Sequence, residues 1–398
     1  MSDRTYFKRL DYTKTDIPTK PFCNLNCKVD GRAGGQADGQ ADGQADGQAD
    51  GQAENKNIEQ MPIEQFLKTS PSENSENIEK FFDFTKTKRE KNCGLGDNYV
   101  QEVKDKRNSG IYLKVKNCKD NTQVTNVLIN FTMDQANNVL YDQNLIVIEE
   151  GARAKIFFYY DVREYDCSKT DIFRNGLLSI VAEKNSQLEF IKVQNLSHCG
   201  INFETVKISA MEKAQVTLYD IQLGARINGS STSTYMPEEW AEVQIYPLYF
   251  ADKTRHIDLE QNLIINGKNS LGVITAKGAL KNKAHKMFRG NIFLNRGCSK
   301  SIARFSDNTI MLDKTTVGAT IPTIFCDEDD VIGEHAASFE AVNKAKLYYL
   351  MTRGFDELSA KKLLIEASFK PVFNRIDDET IREKLLDEFR INLDEIRE

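Results

Sequence analysis

Residues 177–196 read LLSIVAEKNSQLEFIKVQNL, and the fold is decided in this stretch. Two runs of alternating apolar and polar side chains, LLSIVAE and LEFIKVQNL, flank the short polar corner Glu183-Lys184-Asn185-Ser186-Gln187. Period-two alternation rich in β-branched and aromatic residues marks strands. The same texture runs outward from about residue 111 to about 325, through VTNVLINFTM, LIVIEE, KIFFYYDV, TVKISAM, VTLYDIQL and HIDLEQNLII. Helical periodicity is nearly absent there.

The corners repeat as well. Glu150-Gly151-Ala152-Arg153-Ala154, Glu212-Lys213-Ala214-Gln215 and Asp313-Lys314-Thr315-Thr316 each sit between apolar strand ends. One unit stacked many times buries a continuous core that no unit buries alone. A coiled parallel β-solenoid satisfies this better than a sandwich, which needs primed hairpin turns between most strands. Asn175-Gly176, Asn228-Gly229 and Asn266-Gly267 supply such steps, and each is able to end a local hairpin.

Five regions follow from composition and period. Residues 1–33 form an N-terminal segment, and 34–55 carry the tandem Gly-Gln-Ala-Asp repeat that closes on Gly51-Gln52-Ala53-Glu54. Units without a large apolar side chain cannot offset the entropy of ordering, so the repeat is expected to be a disordered spacer. Residues 56–100 hold the helix-like stretches IEQFLKT and ENIEKFFDF, 101–338 the strand-rich core, and 339–398 a helical domain. In that last region Ala341–Met351 has a stripe through Leu347, Leu350 and Met351, stopped by Arg353-Gly354. Asp356 or Ser359 is expected to cap a second helix, with Ala360, Leu363, Leu364 and Ala367 on one face and Pro371 at its end. Asp377 or Asp378 caps a third, with Ile381, Leu385 and Phe389 on one face. Three short helices make little core alone, so they are expected to pack on the solenoid end or on a partner.

Composition narrows the function. A net charge of −6 argues against nucleic acid as the main partner. No apolar run approaches the ~20 residues that span a bilayer, and the first residues lack the apolar core of a secretory signal. A cytoplasmic location is the expectation. The eight cysteines are scattered and form no C-x-x-C pair, so reduced thiols are expected. No G-x-x-x-x-G-K-[ST] loop is present, so no nucleotide is expected on this chain.

One resemblance is specific. Ser270–Gly278 (SLGVITAKG), Phe288-Arg289-Gly290-Asn291-Ile292, Asn308–Lys314 (NTIMLDK) and Thr320–Phe325 (TIPTIF) occur in order. They are followed by Asp329-Asp330-Val331, the Glu334-His335-Ala336-Ala337 corner, then Leu347–Met351 and Arg353-Gly354. This pattern resembles the SufB/SufD family of iron–sulfur cluster assembly proteins. The resemblance implies a right-handed parallel β-helix core with helical ends. It also implies C-terminal helices that dock SufC, an ABC-type ATPase, and pairing with a SufB-type subunit in a SufBCD-type complex. A transient iron–sulfur cluster would form on that complex, with ATP hydrolysed by the partner, and the chain itself would be a non-catalytic scaffold. A homodimer in isolation is also compatible with it.

The subtype is read residue by residue. SufB-type chains carry a cysteine at the position of Asp307 and a glutamate at that of Ala336, whereas SufD-type chains retain the histidine, here His335. The chain therefore resembles the SufD-like side. His335 is the expected cluster-assembly residue and candidate metal ligand, since a neutral imidazole can bind iron or move a proton. Glu334, Cys326 and Cys298 are further candidates, and the alternative for His335 is an exposed corner residue bonded to Glu334 or Asp330. Leu347, Tyr348, Leu350, Arg353, Gly354, Leu363 and Leu364 are the expected partner-binding positions. Competing readings are a β-helix carbohydrate-active enzyme, motivated by solenoid texture alone, and a passive interaction protein.

Overall fold

The computed structural model describes residues 25–30, 57–69, 83, 93–118, 123–163, 165–168, 171–376 and 378–394. The strands are β1 (Leu25–Asp30), β2 (Ile58–Pro62), β3 (Ile111–Val115), β4 (Thr125–Met133), β5 (Val139–Ile148), β6 (Arg153–Val162), β7 (Ile172–Ala182), β8 (Gln187–Asn195) and β9 (Gly200–Ala210). They continue as β10 (Gln215–Gln222), β11 (Ile227–Met236), β12 (Glu242–Ala251), β13 (His256–Ile265), β14 (Leu271–Leu280), β15 (His285–Leu294), β16 (Ile302–Met311), β17 (Val317–Cys326) and β18 (Ile332–Ala341). The helices are α1 (Ile63–Thr69), α2 (Asp97–Lys106), α3 (Lys344–Thr352), α4 (Glu357–Phe373) and α5 (Glu379–Asp394).

Successive strands alternate between two nine-stranded sheets. The even strands from β4 to β18 form one, edged by β1, and the odd strands from β3 to β17 form the other, edged by β2. Neighbours from β3 onward are parallel, as where Phe190 of β8 lies beside Leu218 of β10. The result is a parallel β-solenoid of about eight turns, as the period-two texture predicts. β4 keeps strict alternation of buried and half-buried residues. β7 is buried throughout, because α2 covers its outer face with Tyr99 and Val103 against Phe173 and Leu177.

The repeated corners share one backbone device. Gly151 (φ 70°), Asn185 (φ 57°) and Lys213 (φ 57°) take the left-handed conformation at successive corners. Their amides donate down the stack, Gly151 N to Lys184 O at 2.9 Å and Asn185 N to Glu212 O at 2.9 Å. The Asn-Gly steps are not hairpins. Asn175-Gly176 and Asn228-Gly229 lie inside parallel strands β7 and β11, and only Asn266-Gly267 falls at a corner. Gly176 is small for another reason: a Cβ there would sit 2.5 Å from the Arg174 guanidinium.

The ends depart from expectation. β1 pairs antiparallel with β4, Cys27 opposite Ile129, and β2 pairs antiparallel with β3. IEQFLKT is α1 as expected, while Cys23, the Gly-Gln-Ala-Asp spacer and ENIEKFFDF, save Asp83, lie outside the described residues. Helix α2 runs past residue 100 to Lys106. Strand structure continues to Ala341, so the first C-terminal helix starts at Lys344, capped by the Asn343 side chain accepting from Lys346 N at 3.0 Å.

Asp356 caps α4 by accepting from Ser359 N at 2.8 Å. Pro371 does not end this helix. It sits in the last turn, where the missing N–H costs one ladder bond, and the helix closes at Phe373 with Asn374 N bonded to Lys370 O at 2.8 Å. The buried face is Ala360, Ile365, Phe369, Val372 and Phe373 rather than the Leu363–Leu364–Ala367 face, and Leu363 is 40% exposed. Asp378 caps α5 through Ile381 N at 3.0 Å; Asp377 lies outside the described residues. α5 buries Leu385, Phe389 and Leu393. Both helices pack on the outer flank of the even sheet, against Phe157, Ile191, Tyr219, Leu248 and Phe250, not on the solenoid end.

Cys167 and Cys199 are not separate thiols: they form a disulfide with Cα atoms 5.7 Å apart. His198 and Cys199 occupy a turn before β9 rather than a strand.

Candidate functional site

Coiling stacks like positions, so a charged residue facing inward must find its partner inside. Two groups of charges do this. Midway along the solenoid Arg174 forks onto Asp142 at 2.8 and 3.0 Å and reaches Glu204 at 3.0 Å. Lys192 bridges Glu204 and Asp220. The Tyr160 ring lies 3.6 Å beneath the Arg174 guanidinium, within cation–π range. Burial pushes Glu204 up, but Lys192 and Arg174 outweigh it and hold the carboxyl below its ordinary range. Asp220 is pushed up, chiefly by burial.

The second group lies near the C-terminal end. Asp307 accepts from Lys286, from the Tyr249 hydroxyl at 2.7 Å and from the Thr320 hydroxyl at 2.6 Å. Lys286 also reaches Thr309 Oγ1 at 3.0 Å. Burial pulls Lys286 below the usual lysine range, against the pull of Asp307. Asp307 is therefore an interior carboxylate with three partners.

The last turn is open. β18 lies parallel to β16, with His335 opposite Phe305 and Ala337 opposite Asp307. A Cβ on Gly333 would meet Leu294 and Ile324, which face the interior. Period two then puts His335, Ala337 and Phe339 on that same inward row. Every residue of β18 is exposed, because no further strand stacks on it among the described residues. His335 thus stands in a strand rather than a corner, facing the open end of the lumen, one diagonal step from Asp307. It makes no hydrogen bond to Glu334 or Asp330 among the described residues.

The other candidates separate. Glu334 points to the opposite face, where Arg304 Nε donates to it at 2.8 Å, so it does not share a site with His335. Cys326 ends β17 exposed, its thiol donating to Glu328 O at 3.1 Å. Cys298 is packed in the solenoid core, and burial pushes its thiol up to about 11. Glu328, in the acidic run after β17, caps the Gly297 amide at 2.8 Å, which holds it below its ordinary range. Among the described residues no three His, Cys, Asp or Glu side chains converge as metal ligands.

On the helical side α3 buries none of its residues. Leu347 and Leu350 are half-buried, Tyr348 is 71% exposed, and Arg353 stacks over the Tyr349 ring at 5.2 Å. Gly354 takes φ 97°, the left-handed stop its position predicts. Leu363 is exposed and Leu364 half-buried on α4.

The interior charges were missed by motif reading, although a signal existed. In LEFIKVQNL, Lys192 shares the inward parity of Leu188 and Phe190. A lysine on the buried row of a strand announces an interior partner.

Residues 131–368, more than half of the chain, match the family described as SUF system FeS cluster assembly, SufBD core domain. The chain belongs to this SufB/SufD family of iron–sulfur cluster assembly proteins. Within it the chain is SufD-like. The iron–sulfur cluster assembly protein SufD of Bacillus subtilis (strain 168) is 27% identical over 324 residues, covering 80% of this chain and 71% of that protein. A SufBD family protein of Staphylococcus epidermidis (strain ATCC 12228 / FDA PCI 1200) is 22% identical over 241 residues, 61% of this chain and 51% of its own. One of Mycobacterium tuberculosis (strain ATCC 25618 / H37Rv) is 22% identical over 220 residues, 54% of this chain and 26% of its own. The chain thus spans about half of one of these two and a quarter of the other.

Proposed function

We propose that this chain is a non-catalytic scaffold subunit of a cytoplasmic SufBCD-type complex, pairing with a SufB-type subunit and binding a SufC-type ABC ATPase that hydrolyses ATP. The observation that carries the reading is the open last turn, where the β18 edge is exposed and His335 faces the lumen beside Asp307. An unpaired strand edge invites another strand. A partner solenoid added there meets His335 at the junction, and in isolation a second copy of this chain can take the same place.

The iron–sulfur cluster is cargo of the complex. On the open end this chain offers one unbonded imidazole and the exposed Cys326 thiol, too few to hold a cluster alone. The remaining ligands are assigned to the SufB-type partner, which fits a carboxylate rather than a cysteine at Asp307. Helix α3, with no buried residue, suits docking of the ATPase through Leu347, Tyr348 and Leu350.

The test is coexpression with SufB- and SufC-type partners, anaerobic copurification, and iron and sulfide analysis. His335→Ala is expected to leave the complex assembled and cut its iron and sulfide content severalfold. Failure to copurify, or an unchanged cluster content in the variant, overturns the reading of the partners or of His335 respectively.

A further inference from the structure

The Cys167–Cys199 disulfide lies away from the open end and from α3. It ties the turn between β6 and β7 to the turn before β9, across a sequence separation of 32. The two residues differ in exposure: Cys167 is exposed and Cys199 is 7% exposed. Beside both stands the Ser197 hydroxyl, 3.5 Å from Cys167 Sγ and 3.2 Å from Cys199 Sγ. A buried thiolate is unfavourable unless something donates to it. Ser197 can donate to either sulfur, so the negative charge of exchange is met on whichever cysteine carries it.

We propose that Cys167–Cys199 is a thiol–disulfide exchange site for a low-molecular-weight thiol. The incoming thiolate attacks the exposed Cys167 sulfur. A new sulfur–sulfur bond joins the small thiol to Cys167, the bond to Cys199 breaks, and its electron pair leaves on Cys199, which takes a proton. A second small thiolate attacks the small-thiol sulfur of the mixed disulfide and releases Cys167 as thiolate, which is then protonated. Two electrons and two protons pass from two thiols to the protein, leaving one small-molecule disulfide. The reduced form unties the Cys167 turn from the β8–β9 corner; the oxidised form restores the tether.

The test uses the full chain, native, equilibrated with reduced or oxidised glutathione, then acid-quenched, unfolded, alkylated and weighed. All eight cysteines are expected to alkylate after the reduced arm and two fewer after the oxidised arm, with unchanged circular dichroism. Cys199→Ser is expected to accumulate a glutathione adduct on Cys167, and Cys167→Ser to accumulate none on Cys199. Eight alkylated cysteines in both arms overturns the proposal. So does a disulfide that glutathione opens only in denaturant, or an equal adduct on Cys199 in Cys167→Ser.

Discussion

Asp307 and Lys286 hold each other inside the solenoid one turn before its open end, with Tyr249 and Thr320 completing the carboxylate's bonds. Removing one member leaves the other charge buried without its partner, a loss of about 3–5 kcal/mol. Lys286→Met should therefore lower the urea midpoint strongly. Lys286→Met with Asp307→Leu should recover most of it, because an apolar pair of similar volume is close to neutral. Equal midpoints for the single and double variants would refute the pairing.

Acid should unfold the middle of the solenoid through Glu204. Its folded pKa is lowered, so its contribution is complete above the unfolded value near 4.5 and is lost as pH falls through the folded value. Asp220, pushed up, acts in the opposite sense. Glu204→Gln is expected to flatten the fall in melting temperature below about pH 4.5, while lowering it at neutral pH. Parallel curves for the two proteins would contradict this.

The glycine of SLGVITAKG has a steric cause. A Cβ on Gly278 would lie 1.8 Å from the Tyr249 ring, whose hydroxyl serves Asp307. Gly278→Ala should cost about 1–3 kcal/mol by overpacking. Tyr249→Leu in the same chain should relieve part of that cost, a coupling that a double-mutant cycle reads directly.

Phe389 anchors α5 to the solenoid flank, its ring 4.6 Å from Phe369 and 6.2 Å from Phe250. Phe389→Ala should cost about 3–5 kcal/mol. The loss should appear in the C-terminal helices, whose core is separate from the solenoid interior. Hydrogen exchange is expected to speed up in α4 and α5 and stay unchanged in β8–β14.

Tyr348 is largely exposed, so Tyr348→Ala should move the unfolding midpoint by no more than about 0.5 kcal/mol. It should nevertheless weaken capture of a SufC-type ATPase. A variant that melts and binds like the parent would place the docking surface elsewhere.

The solenoid was legible because burial on one face imposes period two on strands such as β4 and the first part of β14, and stacked corners leave a similar polar signature. The helix faces were legible in part. Leu385 and Phe389 lie where the heptad-like spacing puts them, but the Leu363–Leu364 stripe competed with Ile365–Phe369, and tertiary packing chose the second. Pro371 misled because its cost depends on how many residues follow it, and here there are two. His335 was singled out by pattern, yet its strand and inward row were hidden, since the acidic run before it reads as a long corner. The Cys167–Cys199 bond joins residues on different turns, and spacing alone carries no such information.

The two ends of the solenoid are unlike. At the N-terminal end the sheets close on β1 and β2, which reverse strand direction, and β2 is short and ends on Pro62. A parallel coil arriving there meets the wrong polarity. Among the described residues a parallel edge is therefore offered at one end only. On the proposed pairing, the edge that takes the partner is also the edge whose capping leaves no parallel strand of the described residues open to a further rod.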